Sequence, residues 1–196
     1  MTPTLTTSRL FLTPLQLADA EQVQPLFAQW EIVRHLNARV PWPFPPDGVR
    51  TFYLESALPA IGRGEQFHWM LRLKDHPEQI IGSICLVLPG PVHRGFWLGL
   101  PWQRQGLMTD AVQAVNRFWF EDLKQPVLHT KKAIANQASR AVSLREGKRV
   151  VSQSEDAYVS GHLPEEHWEL TAEEWRARNL DSQKASHDQS LRHLMK

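Results

Sequence analysis

The sequence predicts an α+β fold in which helices cover a mostly antiparallel sheet. Apolar and polar residues alternate over Phe67–Leu73, which indicates a half-buried strand, and the apolar run Ile80–Leu88 indicates a second strand paired with it as a hairpin. Apolar residues recur at helical spacing over Gly106–Asp122, which indicates an amphipathic helix. The predicted order is a strand, two helices, antiparallel strands and then strand–helix–strand–helix.

The N-terminal part is predicted to hold one strand and two helices. Arg9–Leu15 is a short strand, Asp19 opens the first helix, and Asp47 caps the second. The helices are marked by apolar residues at helical spacing, namely Val23, Leu26, Phe27 and Trp30 on the first and Val49, Phe52, Tyr53, Ala57 and Ile61 on the second. Between them, Val40–Pro46 contains four prolines. It forms neither a helix nor a central strand, because each proline lacks an N–H and fixes φ.

The C-terminal half is predicted to alternate strands and helices. A third strand runs from about Val92 to Leu100, where Pro101 interrupts the ladder. After the amphipathic helix, Asn136 begins another helix and Gly147 is its natural C-cap. The remaining signals are a short β-like segment at Pro126–Lys131, two weaker strands within Arg149–Thr171 and a capping box at Thr171–Glu174.

Composition narrows the class of protein. The 196 residues carry a formal net charge of +1, which gives no reason to expect a nucleic-acid or membrane partner. No stretch approaches the roughly 20 apolar residues that span a bilayer, and the N-terminus lacks the features of a signal peptide. Cys85 is the single cysteine and lies in an apolar run, so we expect a packed core residue in a reducing compartment. A soluble, cytoplasmic protein is predicted.

The turn at Gln103–Met108 is the segment with the clearest chemistry. It joins a strand to the helix that begins near Gly106, and the first N–H groups of a helix have no internal partner. Those groups and the helix dipole attract a phosphate or pyrophosphate, and Arg104 could add a charged donor. An ordinary strand-to-helix turn is the alternative that these residues alone leave open.

The same turn resembles a family signature. Gln103-x-x-Gly106-x-Met108 is similar to the Q/R-x-x-G-x-G/A acetyl-CoA motif of the GNAT superfamily, in particular its ribosomal-protein N-terminal acetyltransferase branch. Further similar segments are Arg9-Leu10-x-Leu12, Asp19-Ala20, Gly95-Phe96-Trp97-Leu98, Gly106-Leu-Met-Thr-Asp-Ala-Val, Asn136-Gln-Ala-Ser139 and Glu173-Glu174-Trp175. The resemblance implies one N-acetyltransferase domain over residues 8–179 and a polar C-terminal tail over residues 180–196. Two positions depart from the pattern: Met108 occupies the final small-residue position, and Lys148 replaces a usual aromatic residue.

The resemblance implies acetyl-CoA as co-substrate and a sheet with two splayed parallel strands that hold it. In this family the backbone of Leu98 and Leu100 would pair with the pantetheine arm, and an amide near Leu98 would polarise the thioester carbonyl. Asn136 and Ser139 would face the cysteamine end, with Ser139 donating to the leaving thiolate. The pyrophosphate would be held by the residues of the turn: Gln103, Arg104, Gln105, Gly106, Leu107 and Met108.

Several roles stay open at the level of sequence. Asn136 and Ser139 also suit a simple helix cap. His93 is the candidate catalytic base, with His68 as the other nearby imidazole, and solvated histidines are the alternative reading for both. No metal site is expected, since the spacing of His162, His167 and Glu165-Glu166 matches no standard ligand motif.

The predicted function is transfer of acetyl from acetyl-CoA to a primary amine by direct attack in a ternary complex. The acceptor is a protein N-terminus or a small amine, and Val40–Pro46, with Trp42 and Phe44, is a candidate substrate wall. Met108 and the lack of a carboxylate base motivate an alternative, a non-catalytic acyl-CoA-binding or regulatory module. A structural domain without CoA is a third possibility, and both a monomer and a homodimer stay open.

Overall fold

A computed structural model describes residues 1–180 and contains two antiparallel sheets. The first sheet has the order β1-β2-β3-β4-β5 and the second the order β6-β8-β7. The strands are β1 (Leu5–Thr6), β2 (Leu10–Pro14), β3 (Gln66–Leu73), β4 (His76–Val87), β5 (Arg94–Leu98), β6 (Val127–Ala133), β7 (Arg149–Tyr158) and β8 (Gly161–Thr171). The predicted α+β class is therefore confirmed.

Helices flank the sheets. They are α1 (Ala20–Phe27), α2 (Trp30–Val33), α3 (Gly48–Phe52), α4 (Leu58–Gly62), α5 (Leu107–Arg117) and α6 (Gln137–Glu146). A π-helical turn, Tyr53–Ala57, joins α3 to α4, and another, Phe118–Asp122, extends α5. Residues 172–180 form a final helical segment. Within residues 1–180, no helix has both the length and the apolar character that crossing a lipid bilayer requires.

Strands β5 and β6 diverge and leave a gap between the two sheets. At their N-terminal ends they touch, because the His93 amide just before β5 donates to the His129 carbonyl at 2.9 Å. At their C-terminal ends they separate, since Leu98 and Asn136 line a cleft between them. The two strands therefore run in the same direction and splay apart, as the resemblance implied.

The prediction that Phe67–Leu73 is half-buried was wrong. All residues from Phe67 to Leu71 are buried on both faces of β3. Phe67, Trp69 and Leu71 pack in the core under α5, whereas Met70 packs on the other face against residues of α1 and α3. Alternation of apolar and polar residues does not reveal this, because helices from distant parts of the chain cover both faces.

The N-terminal helices differ in detail from their predictions. The first helix ends at Phe27, and Trp30 begins the separate helix α2 with 37% of its surface exposed. Asp47 precedes α3 but makes no side-chain cap hydrogen bond. Instead, Gln24 on α1 accepts from the Val49 amide at 3.0 Å. A side chain from another helix therefore satisfies the donor that Asp47 was expected to cap.

Three local predictions in the C-terminal half are confirmed. Asn136 caps α6, and Gly147 ends it in the left-handed conformation with φ of 82°. Thr171 and Glu174 form the expected capping box, with reciprocal hydrogen bonds of 2.8 and 3.2 Å. The predicted polar tail lies, except for Leu180, outside the described residues.

Candidate active site

The start of α5 presents unpaired main-chain amides. Gly106 is the N-cap and adopts a φ of 76°, which a residue with a Cβ rarely adopts. The first helical hydrogen bond runs from the Asp110 amide to the Gly106 carbonyl at 3.2 Å. The amides of Leu107, Met108 and Thr109 therefore have no partner within the helix, and together they form a positively polarised group.

Arg9, which immediately precedes β2, holds this turn in place. Its guanidinium donates to the Gln105 carbonyl at 2.8 Å and to the Asp110 carboxylate at 2.7 Å. Arg104, which precedes Gln105, is exposed and has a positive φ of 63°. The conformation of the turn is thus fixed by contacts from outside it, which sequence inspection of the turn alone did not identify.

Three predicted residues of the turn have side chains that make contacts within the protein. Met108 is 7% exposed and belongs to the main hydrophobic core, so its bulk occupies the core and its amide stays at the start of the helix. The Gln103 side chain donates to the Leu98 carbonyl at 2.8 Å. The Gln105 side chain donates to the Pro101 carbonyl at 2.9 Å. Both glutamines therefore stabilise the turn.

Strand β5 turns polar backbone groups toward the gap. The Gly99 amide donates to the Ile81 carbonyl on β4 at 2.8 Å, and Leu98 lies opposite Gly82. In an antiparallel strand, the N–H and C=O of one residue point to the same side, and those of the next residue point to the other side. Because Gly99 pairs with β4, the backbone groups of Leu98 and Phe96 point away from β4. The Leu98 N–H and the Phe96 backbone thus form the exposed edge that an extended ligand could pair with.

Leu100 does not share this edge. The strand ends at Leu98, and Leu100 begins a short 3-10 turn, Leu100–Trp102, in which its carbonyl accepts from the Gln103 amide at 3.3 Å. The predicted strand extended two residues too far at this end because Pro101 stops the extended pairing before its own position. Leu100 is exposed and lies outside the cleft lining, so the structure does not bring it together with Leu98.

Asn136 and Ser139 lie across the cleft from β5. The Asn136 side chain accepts from the Ser139 amide at 3.1 Å, which is the cap that the sequence suggested. Both residues line a cleft of about 700 Å³ together with the turn and the end of β5. The structure thus brings together most of the predicted cofactor residues: Leu98, Gln103, Arg104, Gly106, Leu107, Met108, Asn136 and Ser139.

His35 is a cleft residue that sequence reasoning missed. It follows α2, and burial together with the nearby Arg34 lowers its pKa, so the ring is largely neutral near pH 7. Glu31 lies on the same wall. No motif marks His35, since its place in the cleft depends on how the α2 segment folds over the gap.

His93 is not brought to the cleft. Its ring lies near Trp119, with ring centres 4.9 Å apart, and its Nδ1 accepts from the His129 amide at 3.0 Å. Burial lowers the pKa of His93. It lies at the closed end of the β5–β6 splay, so it joins the strands and is remote from the other predicted site residues.

A buried ionic network lies beneath the cleft and contains Arg94. Its guanidinium donates to Glu146 through two nitrogens at 2.6 and 2.8 Å, and to the Asn116 side chain at 2.6 Å. The side chains of Arg94 and Glu146 are 1% and 2% exposed. Lys148, the departure noted above, is fully buried beside Glu146 at 3.9 Å. The network connects β5, α5 and α6, the three elements that frame the cleft.

A second cavity of about 540 Å³ adjoins the cleft. Phe96, Trp97 and Leu36 line both spaces. The proline-rich segment contributes Val40, Pro41, Phe44 and Pro45 to its wall. Trp42 faces elsewhere: it is 44% exposed and packs against Trp30.

This arrangement has parallels among known proteins. A family model for the acetyltransferase (GNAT) domain matches residues 9–149. Among curated proteins, none has significant sequence similarity to the chain. Several solved structures have a similar fold, but their sequence identities to this chain are so low that the likeness concerns the fold alone.

One such structure is RimL, a ribosomal L7/L12 alpha-N-protein acetyltransferase, in complex with coenzyme A (15% identity, TM-score 0.74, covering 86% of this chain and 98% of that one). Another is a ribosomal-protein-S5-alanine acetyltransferase from Vibrio fischeri (15% identity, TM-score 0.74, covering 88% and 98%). A third is the microcin C7 self-immunity acetyltransferase MccE with acetyl-CoA and AMP (16% identity, TM-score 0.69, covering 84% and 93%). Because the family model matches most of the chain and the fold agrees, the chain belongs to the GNAT acetyltransferase family.

Proposed function

We propose that the protein transfers acetyl from acetyl-CoA to a primary amine by direct attack in a ternary complex. The observation that carries this proposal is the group of free amides at Leu107, Met108 and Thr109 on the wall of the cleft. Such a group suits the diphosphate of a CoA thioester. The transferase domain would span residues 8–179.

The open edge of β5 would bind the pantetheine arm. The Leu98 N–H points into the gap, so it can donate to an amide or to the thioester carbonyl of an extended ligand. Donation to the carbonyl oxygen would stabilise the negative charge that develops as the amine attacks. The carbon–sulfur bond then breaks, an amide forms, and CoA leaves as the thiolate.

Ser139 would donate to the leaving sulfur. The Ser139 amide donates to the Asn136 side chain, which fixes the first turn of α6. Ser139 also lines the cleft. Replacement of Ser139 by Ala tests this role: we expect kcat to fall about a hundredfold, with little change in the affinity for acetyl-CoA. An unchanged kcat would remove Ser139 from the chemistry.

His35 would accept the proton that the amine loses. It is the single imidazole among the described residues that line the cleft, and its lowered pKa keeps it in the neutral, accepting form. It replaces His93 in this role, because His93 lies at the other end of the splay. An α-amino acceptor with a pKa near 8 would need less help than a lysine.

The structurally similar proteins suggest two classes of amine acceptor. The RimL and Vibrio fischeri structures bear the names of enzymes that acetylate ribosomal proteins, whereas MccE is a self-immunity acetyltransferase bound to AMP. Protein N-termini and small amines are therefore both candidate substrates. A cytoplasmic location and a homodimer remain predictions.

A non-catalytic acyl-CoA-binding module is a second candidate function. Among the described residues that line the cleft, Glu31 is the one carboxylate, and it is exposed, so the lack of a buried carboxylate base is the observation that favours binding without turnover. The unusual Met108 was the other reason to consider a non-catalytic module. It no longer supports that module, because its side chain is buried in the core and does not block the turn.

Calorimetry and a thiol-release assay together distinguish these functions. Titration with acetyl-CoA measures binding, and release of free CoA in the presence of a panel of amines measures transfer. We expect saturable binding and amine-dependent release. Binding without release on any amine would support the module, and the absence of CoA binding would contradict both.

A further inference from the structure

We propose that the cavity beside the cleft binds an apolar body that carries the acceptor amine, so that the substrate is an arylalkyl or branched-alkyl amine or an N-terminus with such a side chain. This proposal rests on the proposed acetyl transfer and specifies its substrate class. It starts from the position of the cavity, which shares Phe96, Trp97 and Leu36 with the cleft.

The walls of the cavity are mainly apolar. Aromatic rings stand on several sides, with Phe27 in edge contact with both Phe44 and Trp97 at 5.1 and 5.5 Å between ring centres. Val23 and Val49 add aliphatic surface. A volume of about 540 Å³ falls in the range of about 300–1,000 Å³ in which small-molecule sites lie. Such walls favour an aromatic or branched aliphatic group and give a hydrated polyamine few partners.

Most polar side chains of the cavity lie at its edges or are already bonded, and Ser83 adds one buried hydroxyl. Arg39, Asp47 and Thr51 line it from exposed positions. His68 lies deeper, where burial lowers its pKa to about 4 and its Nε2 is 2.7 Å from the Gln66 side chain. The neutral ring adds no charge to the cavity. The amine has to reach the thioester in the cleft, which leaves the cavity for the apolar part of the substrate and so orients it.

The wall formed by the α2–α3 connection is held in place by the β7–β8 hairpin. The Ala38 amide donates to the Ala157 carbonyl at 3.0 Å, and the Val159 amide donates to the Leu36 carbonyl at 2.9 Å. The connecting segment thus both donates a hydrogen bond to the hairpin and accepts one from it. The cavity is thus a formed compartment with a fixed wall, as selection by shape requires.

A panel of paired acceptors tests the proposal. Phenethylamine is compared with ethanolamine, and a tetrapeptide with N-terminal Phe is compared with one that begins with Ser, with thiol release as the readout. We expect kcat/KM to be about tenfold to a hundredfold higher for the apolar member of at least one pair, since a buried phenyl group contributes about 1.5–3 kcal/mol. The pair that responds identifies whether the source is a free amine or a peptide. Equal or better rates with both polar members would overturn the proposal.

Two matched variants check that the cavity is the cause. Thr51 lines the cavity and Leu54 does not, although both are exposed on the same helical stretch. We expect Thr51→Trp to raise KM for the apolar acceptor at least fivefold, while Leu54→Trp leaves it unchanged. The affinity for acetyl-CoA, measured by calorimetry, should be unchanged in both. Preserved acceptor KM in a folded Thr51→Trp variant contradicts this subsite, whereas loss of acetyl-CoA binding by the parent protein would instead reject the proposed function.

Discussion

Gly106 is the residue whose conformation matters most for the candidate site. It has a φ of 76°, and a Cβ added there would lie 3.3 Å from the guanidinium of Arg9. Both facts tie the shape of the turn to the absence of a side chain. The motif around Gly106 was recognisable from the sequence because the requirement is local.

We expect Gly106→Ala to weaken acetyl-CoA binding about tenfold and to lower the free energy of unfolding by about 1–2 kcal/mol. The cause is strain at a left-handed position, relieved by a shift of the amides that follow. Gly64→Ala is the matched control: Gly64 has a φ of 75°, and its added Cβ would meet nothing within 4 Å. That variant should lose similar stability and keep its acetyl-CoA affinity, as calorimetry and denaturation would show. Equal affinity in both variants would contradict the role of the turn.

His35 shows what sequence patterns could not reveal about the site. It belongs to no motif and becomes a cleft residue only because the segment after α2 folds over the gap. Burial is the main cause that lowers its pKa below the ordinary value near 6.5. The ring therefore stays neutral to a lower pH than a free imidazole does.

We expect His35→Gln to lower kcat by about a hundredfold, the lower part of the range for a general base. In the parent enzyme the fall in kcat on the acid side should occur below pH 6.5, since a base with a lowered pKa stays unprotonated to lower pH. The variant should lose that acid-side fall. A pH–rate profile measures both; an unchanged profile would exclude His35 as the proton acceptor.

At the scale of elements, the Arg94–Glu146 pair fixes the frame of the cleft. Arg94 on β5 donates to Glu146 on α6 and to Asn116 on α5. Glu146 is held ionised because Arg94 and Lys148 lower its pKa, although burial opposes them. The pair thus joins three elements that are far apart in the chain.

Removing one partner should therefore cost more than removing both. We expect Arg94→Met to lower the free energy of unfolding by about 3–5 kcal/mol, because it leaves the buried Glu146 carboxylate without its main partner. The double variant Arg94→Met, Glu146→Met should recover most of that loss. Urea denaturation of the two variants measures the difference. Equal losses would show that the pair does not act as a unit.

Most elements were predictable because their signals are local. The period of α5, the cap at Asn136 and the turn at Gly147 depend on neighbouring residues, and all three are confirmed. The break before Trp30 and the end of β5 at Leu98 were not foreseen. The break depends on packing against other parts of the chain, which outweighs local preference. The strand ends early because Pro101 stops the extended pairing before its own position.

At the scale of the whole molecule, the splay of β5 and β6 required the three-dimensional structure or a family resemblance. The sequence indicates both strands but not their divergence. It also does not reveal that charged side chains are buried on and beside β6. Lys132 and Lys148 both donate to the Thr130 hydroxyl, at 3.2 and 3.0 Å. Burial is the main cause that lowers the pKa of Lys132 to about 7 and also lowers that of Lys148.

These lysines should make stability depend on pH in an unusual direction. Between pH 7 and about 10.4, the unfolded state binds more protons than the folded state, so the free energy of unfolding rises with pH. Below pH 7 Lys132 is protonated in both states and the cost of its burial is fully present.

We expect Lys132→Met to be as stable as the parent protein at pH 7 or more stable by about 1–3 kcal/mol, and to reduce the rise toward pH 10. Thermal unfolding at several pH values measures both effects. A large loss of stability at pH 7, or an unaltered rise, would contradict the burial cost assigned to Lys132.

The central claim is that free amides at the start of α5 bind the diphosphate of acetyl-CoA, and a crystal structure of the CoA complex tests it most directly. We expect diphosphate oxygens at about 2.7–3.2 Å from the amide nitrogens of Leu107, Met108 or Thr109, with the pantetheine arm along Leu98. CoA bound elsewhere, with those amides facing only solvent, would contradict the account.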